Sequence, residues 1–162
     1  MTPDHVSRIQ DDWKRERPEL DVSPIGVIGR LHRLANALTD ELVALYEQYG
    51  LSEGEFDVLS ALRRAGAPYE RAPGELAQHT MVTTGAITKR IDRLIEADLV
   101  TRRQSESDAR GRVVRLTAHG LALIDEAFVA HVENERRLLA TLDPAEAAAL
   151  ESLLTKWLAA HE

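Results

Sequence analysis

Basic side chains gather in one stretch of this 162-residue chain, between residues 83 and 116. The stretch holds eight basic and five acidic residues, a local charge of +3; the whole chain carries −7, so the remainder carries −10. A basic patch on an otherwise acidic protein directs phosphate binding to one face. The stretch therefore indicates contact with a nucleic-acid backbone. Its basic residues are Lys89, Arg90, Arg93, Arg102, Arg103, Arg110, Arg112 and Arg115.

A helix is predicted from Thr83 or Thr84, either of which can act as an N-cap, to about Ala97. Its apolar residues share one face, which leaves the opposite face of its first half polar and exposed. A short helix that starts at Pro73 precedes it across a tight turn, so the pair predicts a helix-turn-helix whose second helix enters a major groove. The apolar face holds Ile87, Ile91, Leu94 and Ile95, and the exposed face holds Thr84, Gly85, Thr88, Lys89 and Asp92.

Two short strands are predicted directly after this helix, from Leu99 to Gln104 and from Arg112 to Leu116. A polar segment rich in turn formers, residues 105–111, separates them. They predict a two-stranded wing with Arg110 at its tip. The fold class is therefore mainly α with a small β-wing, a winged helix-turn-helix.

The remaining segments predict helices that flank this unit. A short amphipathic helix precedes Pro18, and a long one follows Ser23 and ends at Gly50. The spacing of Ser52 and Glu55 predicts a capping box, and two further helices start after Thr117 and Asp143. We expect one structural unit over the whole chain.

Several function classes lack support in the sequence. There is no cysteine, no long apolar run and no secretion signal, so we expect a cytoplasmic protein without thiol chemistry. The six histidines form no i,i+4 pair or cluster, and no phosphate loop or activated nucleophile is evident. We therefore expect no metal site, no cofactor and no enzymatic activity. His131, close to Glu133 and Glu135, is a candidate for pH coupling.

The segment Asp108-Ala109-Arg110-Gly111-Arg112-Val113-Val114-Arg115-Leu116-Thr117-Ala118-His119-Gly120 resembles the wing of the MarR family of bacterial transcriptional regulators. The resemblance extends from about Pro24 to Leu158. It implies a homodimer held by helices within residues 1–49 and 117–162, with a DNA-binding lobe at 51–116. It also implies a pseudopalindromic DNA operator. The implied DNA contacts are Thr84, Gly85, Thr88, Lys89, Arg110 and Arg112.

A closer resemblance is to the urate-responsive branch of that family, for which four positions are diagnostic. They correspond here to Trp13 on the N-terminal helix, Asp57 in the second core helix, Arg90 in the recognition helix and Arg102 entering the wing. The branch implies a small-molecule effector, urate or a related purine anion, bound by these four residues. A guanidinium can meet the polar edge of urate with two hydrogen bonds, and an indole offers a flat face. The anion would compete with Asp57 for Arg90.

Other interpretations of the same residues stay open. Asp57 and Arg90 would also suit a plain salt bridge, Arg102 a phosphate contact and Trp13 a hydrophobic anchor. Lys89 would suit a solvated surface position, and Arg112 or Arg115 a pair with Asp108 or Glu106 across the hairpin. The main alternative function is a MarR-type repressor that responds to a phenolic or aromatic carboxylate. An enzyme acting on a purine and a partner-binding adaptor are further alternatives.

Overall fold

The computed structural model describes residues 3–80, 84–104 and 112–161, without the side chains of His79, Thr84, Gly85 and Ala86. Two compact units divide the chain, residues 1–42 and 43–162. No helix in the described ranges is long and apolar enough to cross a membrane. The elements are α1 (His5–Glu16), α2 (Ser23–Glu47), α3 (Glu53–Arg63), β1 (Glu70–Arg71), α4 (Pro73–His79), α5 (Thr84–Glu96), β2 (Val100–Gln104), β3 (Arg112–Leu116), α6 (Ala118–Leu139) and α7 (Pro144–Leu158).

The first unit is fastened by an ion pair between the start of α1 and the first half of α2. The Asp4 carboxylate caps α1 by accepting from the backbone N–H of Ser7 at 2.8 Å. Arg30 donates to the same carboxylate from Nε at 2.7 Å and from Nη2 at 3.1 Å. Hydrogen bonds from Arg30, followed by that from Ser7, hold the pKa of Asp4 well below its usual range. The short helix predicted before Pro18 is therefore a fixed part of this unit.

Helix α3 is the most enclosed helix of the second unit. Eight of its eleven residues are buried, and it packs against α4, α5, α6 and the sheet. Glu55 Oε2 accepts from the backbone N–H of Ser52 at 2.8 Å, which confirms that the predicted cap starts this helix. The fully buried side chains of the lobe include Val58, Leu59, Leu62, Leu76, Ile91, Val114 and Ile124.

The wing contains one strand more than the sequence predicted. The expected antiparallel hairpin is present, with Val100 opposite Leu116 and Gln104 opposite Arg112. In addition, β1 pairs with the other edge of β3, so the order is β1-β3-β2 and the predicted two-stranded wing is corrected to a three-stranded sheet. A strand of two residues is too short to show an alternation of apolar and polar residues. For this reason β1 was not predicted from the sequence.

The start of α6 is pressed against the end of the turn that leads into β2. Thr117 Oγ1 accepts from the backbone N–H of Gly120 at 2.9 Å and lies 2.8 Å from the carbonyl oxygen of Asp98, to which it donates. A Cβ on Gly120 would overlap the carbonyl oxygen of Leu99 and lie 2.8 Å from its carbon. Since this neighbour is backbone, it cannot swing aside, and the position requires glycine.

We predict that Gly120→Ala lowers the free energy of unfolding by about 2–3 kcal/mol, because α6 must move away from Leu99 to admit the methyl group. Gly74→Ala is the matched control: it is also helical, and an added Cβ there meets no atom within 4 Å. This control should be neutral or stabilising by up to about 1 kcal/mol. Urea denaturation measures both. Equal stabilities for the two variants would contradict the close approach at Gly120.

Candidate DNA-binding and ligand-binding site

The recognition helix α5 presents its polar face outward, as the sequence predicted. Ile87 and Ile91 are 2% and 0% exposed and anchor the helix on the lobe, while Thr88 and Lys89 are exposed. Thr84 and Gly85 form its first turn, and their side chains lie outside the described part of the structure. The outward face therefore offers a hydroxyl and an ammonium group on a helix whose opposite face is buried.

The structure describes one of the two wing arginines that were predicted to contact DNA. Arg112 is exposed at the start of β3, whereas Arg110, Asp108 and Glu106 lie outside the described residues. The base of the wing is fastened by an ion pair across the sheet, in which Arg103 Nε lies 3.5 Å from Glu70 Oε2. Both side chains are less than one third exposed. The third strand therefore supplies a charged anchor for the arginine-bearing hairpin.

Arg90 extends from α5 to the N-terminal turn of α3, where it rests on Gly54. A Cβ on Gly54 would overlap Nε and Cζ of Arg90 and lie 2.7 Å from Nη2. The guanidinium therefore occupies the space that a side chain at position 54 would take. Gly54 is the second residue of α3, so the guanidinium lies against the first turn of that helix.

The guanidinium of Arg90 is incompletely satisfied. Its Nη1 is buried and has no hydrogen-bond partner among the described residues. A buried, unpaired N–H on a charged group is costly, and a helix N-terminus adds further positive potential. Both costs would be relieved by an anion, because it would accept from Nη1 and interact favourably with the helix dipole.

Asp57 lies three residues after Gly54, on the same side of α3. The negative charge of Asp57 affects the titration of Tyr46. The pKa of the Tyr46 phenol is raised to about 12, first by burial and then by the negative charges of Glu135, Glu53 and Asp57. Tyr46 is therefore a neutral phenol at physiological pH, and its oxygen lies 3.1 Å from Nδ1 of His131. The carboxylates of Glu53, Asp57 and Glu135 therefore all act on the Tyr46 phenol.

Arg102 is bound to the recognition helix. Its Nη2 donates to Asp92 Oδ1 at 3.1 Å, and its side chain is 30% exposed. Asp92 is two residues beyond Arg90, and residues at that spacing lie on different sides of a helix. The structure therefore joins Arg102 to α5 through Asp92, a residue for which the sequence predicted only a place on the outward face.

Trp13 lies on α1 in the first unit and is 47% exposed. A shallow hollow on this helix is lined by Trp13 and by Ile9, Asp12 and Glu16. The indole therefore offers an accessible flat face on α1.

Two features of this site were not predicted from the sequence. Gly54 was assigned only to a cap, although a glycine in the first turn of a helix is unfavourable and so signals a close contact. Glu55 was likewise assigned only to the cap, yet its Oε1 lies 3.9 Å from Nη1 of Arg93. Together they show that α5 is fastened to the N-terminal turn of α3 by contacts at successive residues.

The sequence of the chain resembles characterised regulators over most of its length. It is 40% identical to the HTH-type transcriptional regulator PecS of Dickeya dadantii over 92% of this chain and 90% of that protein. Residues 49–111 match the MarR family. The chain belongs to the MarR family.

Solved structures of MarR-family proteins share the fold. AbsC of Streptomyces coelicolor, a MarR family transcriptional regulator, superposes with a TM-score of 0.76 and 28% identity, covering 88% of this chain and 96% of that one. A mutant of MarR from E. coli, complexed with operator DNA, gives a TM-score of 0.72 and 28% identity, covering 85% of this chain and 95% of that one. This MarR-family chain is therefore a winged-helix, DNA-binding transcriptional regulator, and its relatives are regulators and not enzymes.

We predict that Arg90→Met leaves this MarR-family chain as stable as the wild type or more stable, because an apolar side chain replaces a buried, incompletely paired charge. Thermal unfolding measures the effect. Arg63→Met is the matched control, since Arg63 bonds Asp125 at 2.5 Å and stacks over Tyr69; this variant should be slightly less stable than the wild type. A loss above about 2 kcal/mol for Arg90→Met would show that the guanidinium is already well paired.

Proposed function

We propose that the chain is a homodimeric repressor that urate or a related purine anion releases from a pseudopalindromic operator. The observation that carries the proposal is the buried Nη1 of Arg90, which finds no hydrogen-bond partner in the part of the chain that the structure describes and lies on the recognition helix itself, against the first turn of α3. An anion can accept from this donor, and the donor belongs to the helix that contacts DNA, so binding there can change the DNA contact. As a regulator of operator DNA, the protein acts in the cytoplasm.

The DNA-binding residues in this proposal are those of the outward face of α5 and of the wing. Exposure of Thr88, Lys89 and Arg112 supports it, as does the firm burial of the opposite face of α5. Thr84 and Gly85 would approach the bases at the start of the helix, and Arg110 with Arg112 would enter the narrow groove.

A homodimer is supported by apolar side chains that the chain leaves exposed near its C-terminus. Four leucines of α7 are between 37% and 65% exposed, and Leu139 at the end of α6 is 50% exposed. Exposed leucines that recur along a helix favour burial against a second copy. We assign dimerisation to helices within residues 1–49 and 117–162, and DNA binding to 51–116. The four leucines are Leu150, Leu153, Leu154 and Leu158.

In the proposed ligand site, Arg90 supplies the donor for the anion and Trp13 a flat face for the purine. Asp57 would hold Arg90 in its ligand-free position until the anion competes for the guanidinium. Arg102 would leave Asp92 to reach the ligand or would hold α5 as it moves. Because Arg90 and Asp92 belong to α5, either event shifts the recognition helix, and a few kcal/mol of preference for the shifted state suffices to release DNA.

We predict that Lys89→Ala weakens operator binding and lowers the slope of log affinity against log salt by about 2, one phosphate contact being lost in each protomer. Fluorescence anisotropy with DNA from upstream of the chain's own gene, over a series of salt concentrations, measures the slope. Lys156→Ala, on α7, is the matched control and should leave the slope unchanged. An unchanged slope for Lys89→Ala would remove Lys89 from the DNA contacts.

We predict that urate binds at about one molecule per protomer, more tightly than salicylate, and that Arg90→Met reduces this affinity by about 10- to 100-fold while operator binding persists. Calorimetry measures the binding, and anisotropy measures release of the operator. Gly54→Ala is a sharper variant, because the methyl group displaces the guanidinium without removing it; it should also weaken urate binding.

Lys89→Ala is the control for this series, since it changes DNA contact and should leave urate affinity unaltered. Tighter binding of salicylate than of urate would favour the alternative, a repressor that responds to an aromatic carboxylate. Urate affinity that survives both Arg90→Met and Gly54→Ala would refute the proposed site.

A further inference from the structure

The three strands β1, β2 and β3, as the structure describes them, carry five arginines and one acidic residue, Glu70. A carboxylate near DNA repels phosphate, so its presence in a basic sheet requires a physical reason. Glu70 belongs to β1, the strand that joins the sheet from outside the hairpin. The contacts of β1 therefore show what this carboxylate contributes. The five arginines are Arg71, Arg102, Arg103, Arg112 and Arg115.

Glu70 and Arg103 lie on the same face of the sheet, on either side of β3. Glu70 is opposite Arg115, and Arg103 is opposite Val113. Because alternate residues of a strand share a face, all four side chains belong to one face. Glu70 Oε2 lies 3.5 Å from Arg103 Nε, and both atoms are shielded from solvent. The pair therefore joins β1 to β2 across the central strand and is screened less than a surface ion pair.

The neighbour of Glu70, Arg71, fastens β1 to the enclosed helix α3. Arg71 Nε donates to the carbonyl oxygen of Ala61 at 3.3 Å. Ala61 is fully buried in the last turn of α3, and the strand partner of Arg71, Val114, is fully buried as well. Two adjacent side chains of β1 thus connect the interior of the lobe to β2, one residue before the pair of Gln104 with Arg112.

We propose that Glu70 is a positioning residue for DNA binding, which holds the hairpin in the orientation that brings Arg112 to the narrow groove. Glu70 itself makes no contact with DNA. Without the carboxylate, Arg103 loses this partner, and two like charges, Arg103 and Arg115, are left on one face of neighbouring strands, where they repel. The hairpin then moves relative to α3. This inference rests on the proposed DNA contact of Arg112.

The substitution Glu70→Gln keeps the size of the side chain and removes its charge. Acting through charge alone, it would strengthen DNA binding, because a negative charge near phosphate is lost. We expect the opposite, a loss of operator affinity of about 3- to 5-fold, since the hairpin is no longer held. Glu133→Gln is the matched control: it also removes a glutamate paired with an arginine, Arg136, but on α6. This control should stay within about 2-fold of the wild type.

A double-mutant cycle, measured by fluorescence anisotropy on the full-length protein, tests whether the effect of Glu70 passes through the wing. Arg112→Ala should weaken operator binding by about 10-fold. Adding Glu70→Gln to Arg112→Ala should cause no further loss, because the contact that Glu70 positions is already absent. A purely structural role would instead reduce affinity by the same factor in both backgrounds.

The outcomes of the cycle separate this inference from the proposed wing contact. Equal losses in both backgrounds, or a Glu70→Gln variant that binds as tightly as the wild type or more tightly, would overturn the role of Glu70 and leave the contact of Arg112 standing. An Arg112→Ala variant with unchanged affinity would refute the wing contact itself, and the role of Glu70 would fall with it.

Discussion

The lobe depends on the enclosure of α3, which packs against helices on several sides and against the sheet. An enclosed helix transmits strain, because close-packed side chains cannot yield without moving their neighbours. Its N-terminal turn receives Arg90 and Arg93 from the recognition helix, through Gly54 and Glu55. The position of α5, and with it the surface offered to DNA, is therefore set by a few contacts at one end of a single buried helix.

Those contacts restrain α5 to different degrees. The ion pair of Arg93 with Glu55 and that of Arg102 with Asp92 restrain α5, whereas a buried donor of Arg90 has no partner within the described ranges. A fully paired Arg90 would hold the helix more firmly, and the proposed anion would then find no open donor.

Structural features that follow from periodicity and capping were predicted from the sequence. Features that depend on contacts between separate elements were missed. The recognition helix, the wing hairpin and the start of α6 at Thr117 follow local rules, and the structure confirms them. Strand β1 is too short to show a pattern. Gly54 and the partner of Arg102 depend on which residues of separate elements meet, and no local rule specifies that.

The anchoring of Thr117 and Gly120 makes α6 mechanically continuous with the wing. The helix has 22 residues and so is about 33 Å long, and its first turn is pinned to the backbone of residues 98–99. Such a rod acts as a lever: a tilt of roughly 5° at the pinned end displaces the far end by about 3 Å. A change in the orientation of the wing therefore also moves the distal end of α6, and a movement of that end changes the orientation of the wing.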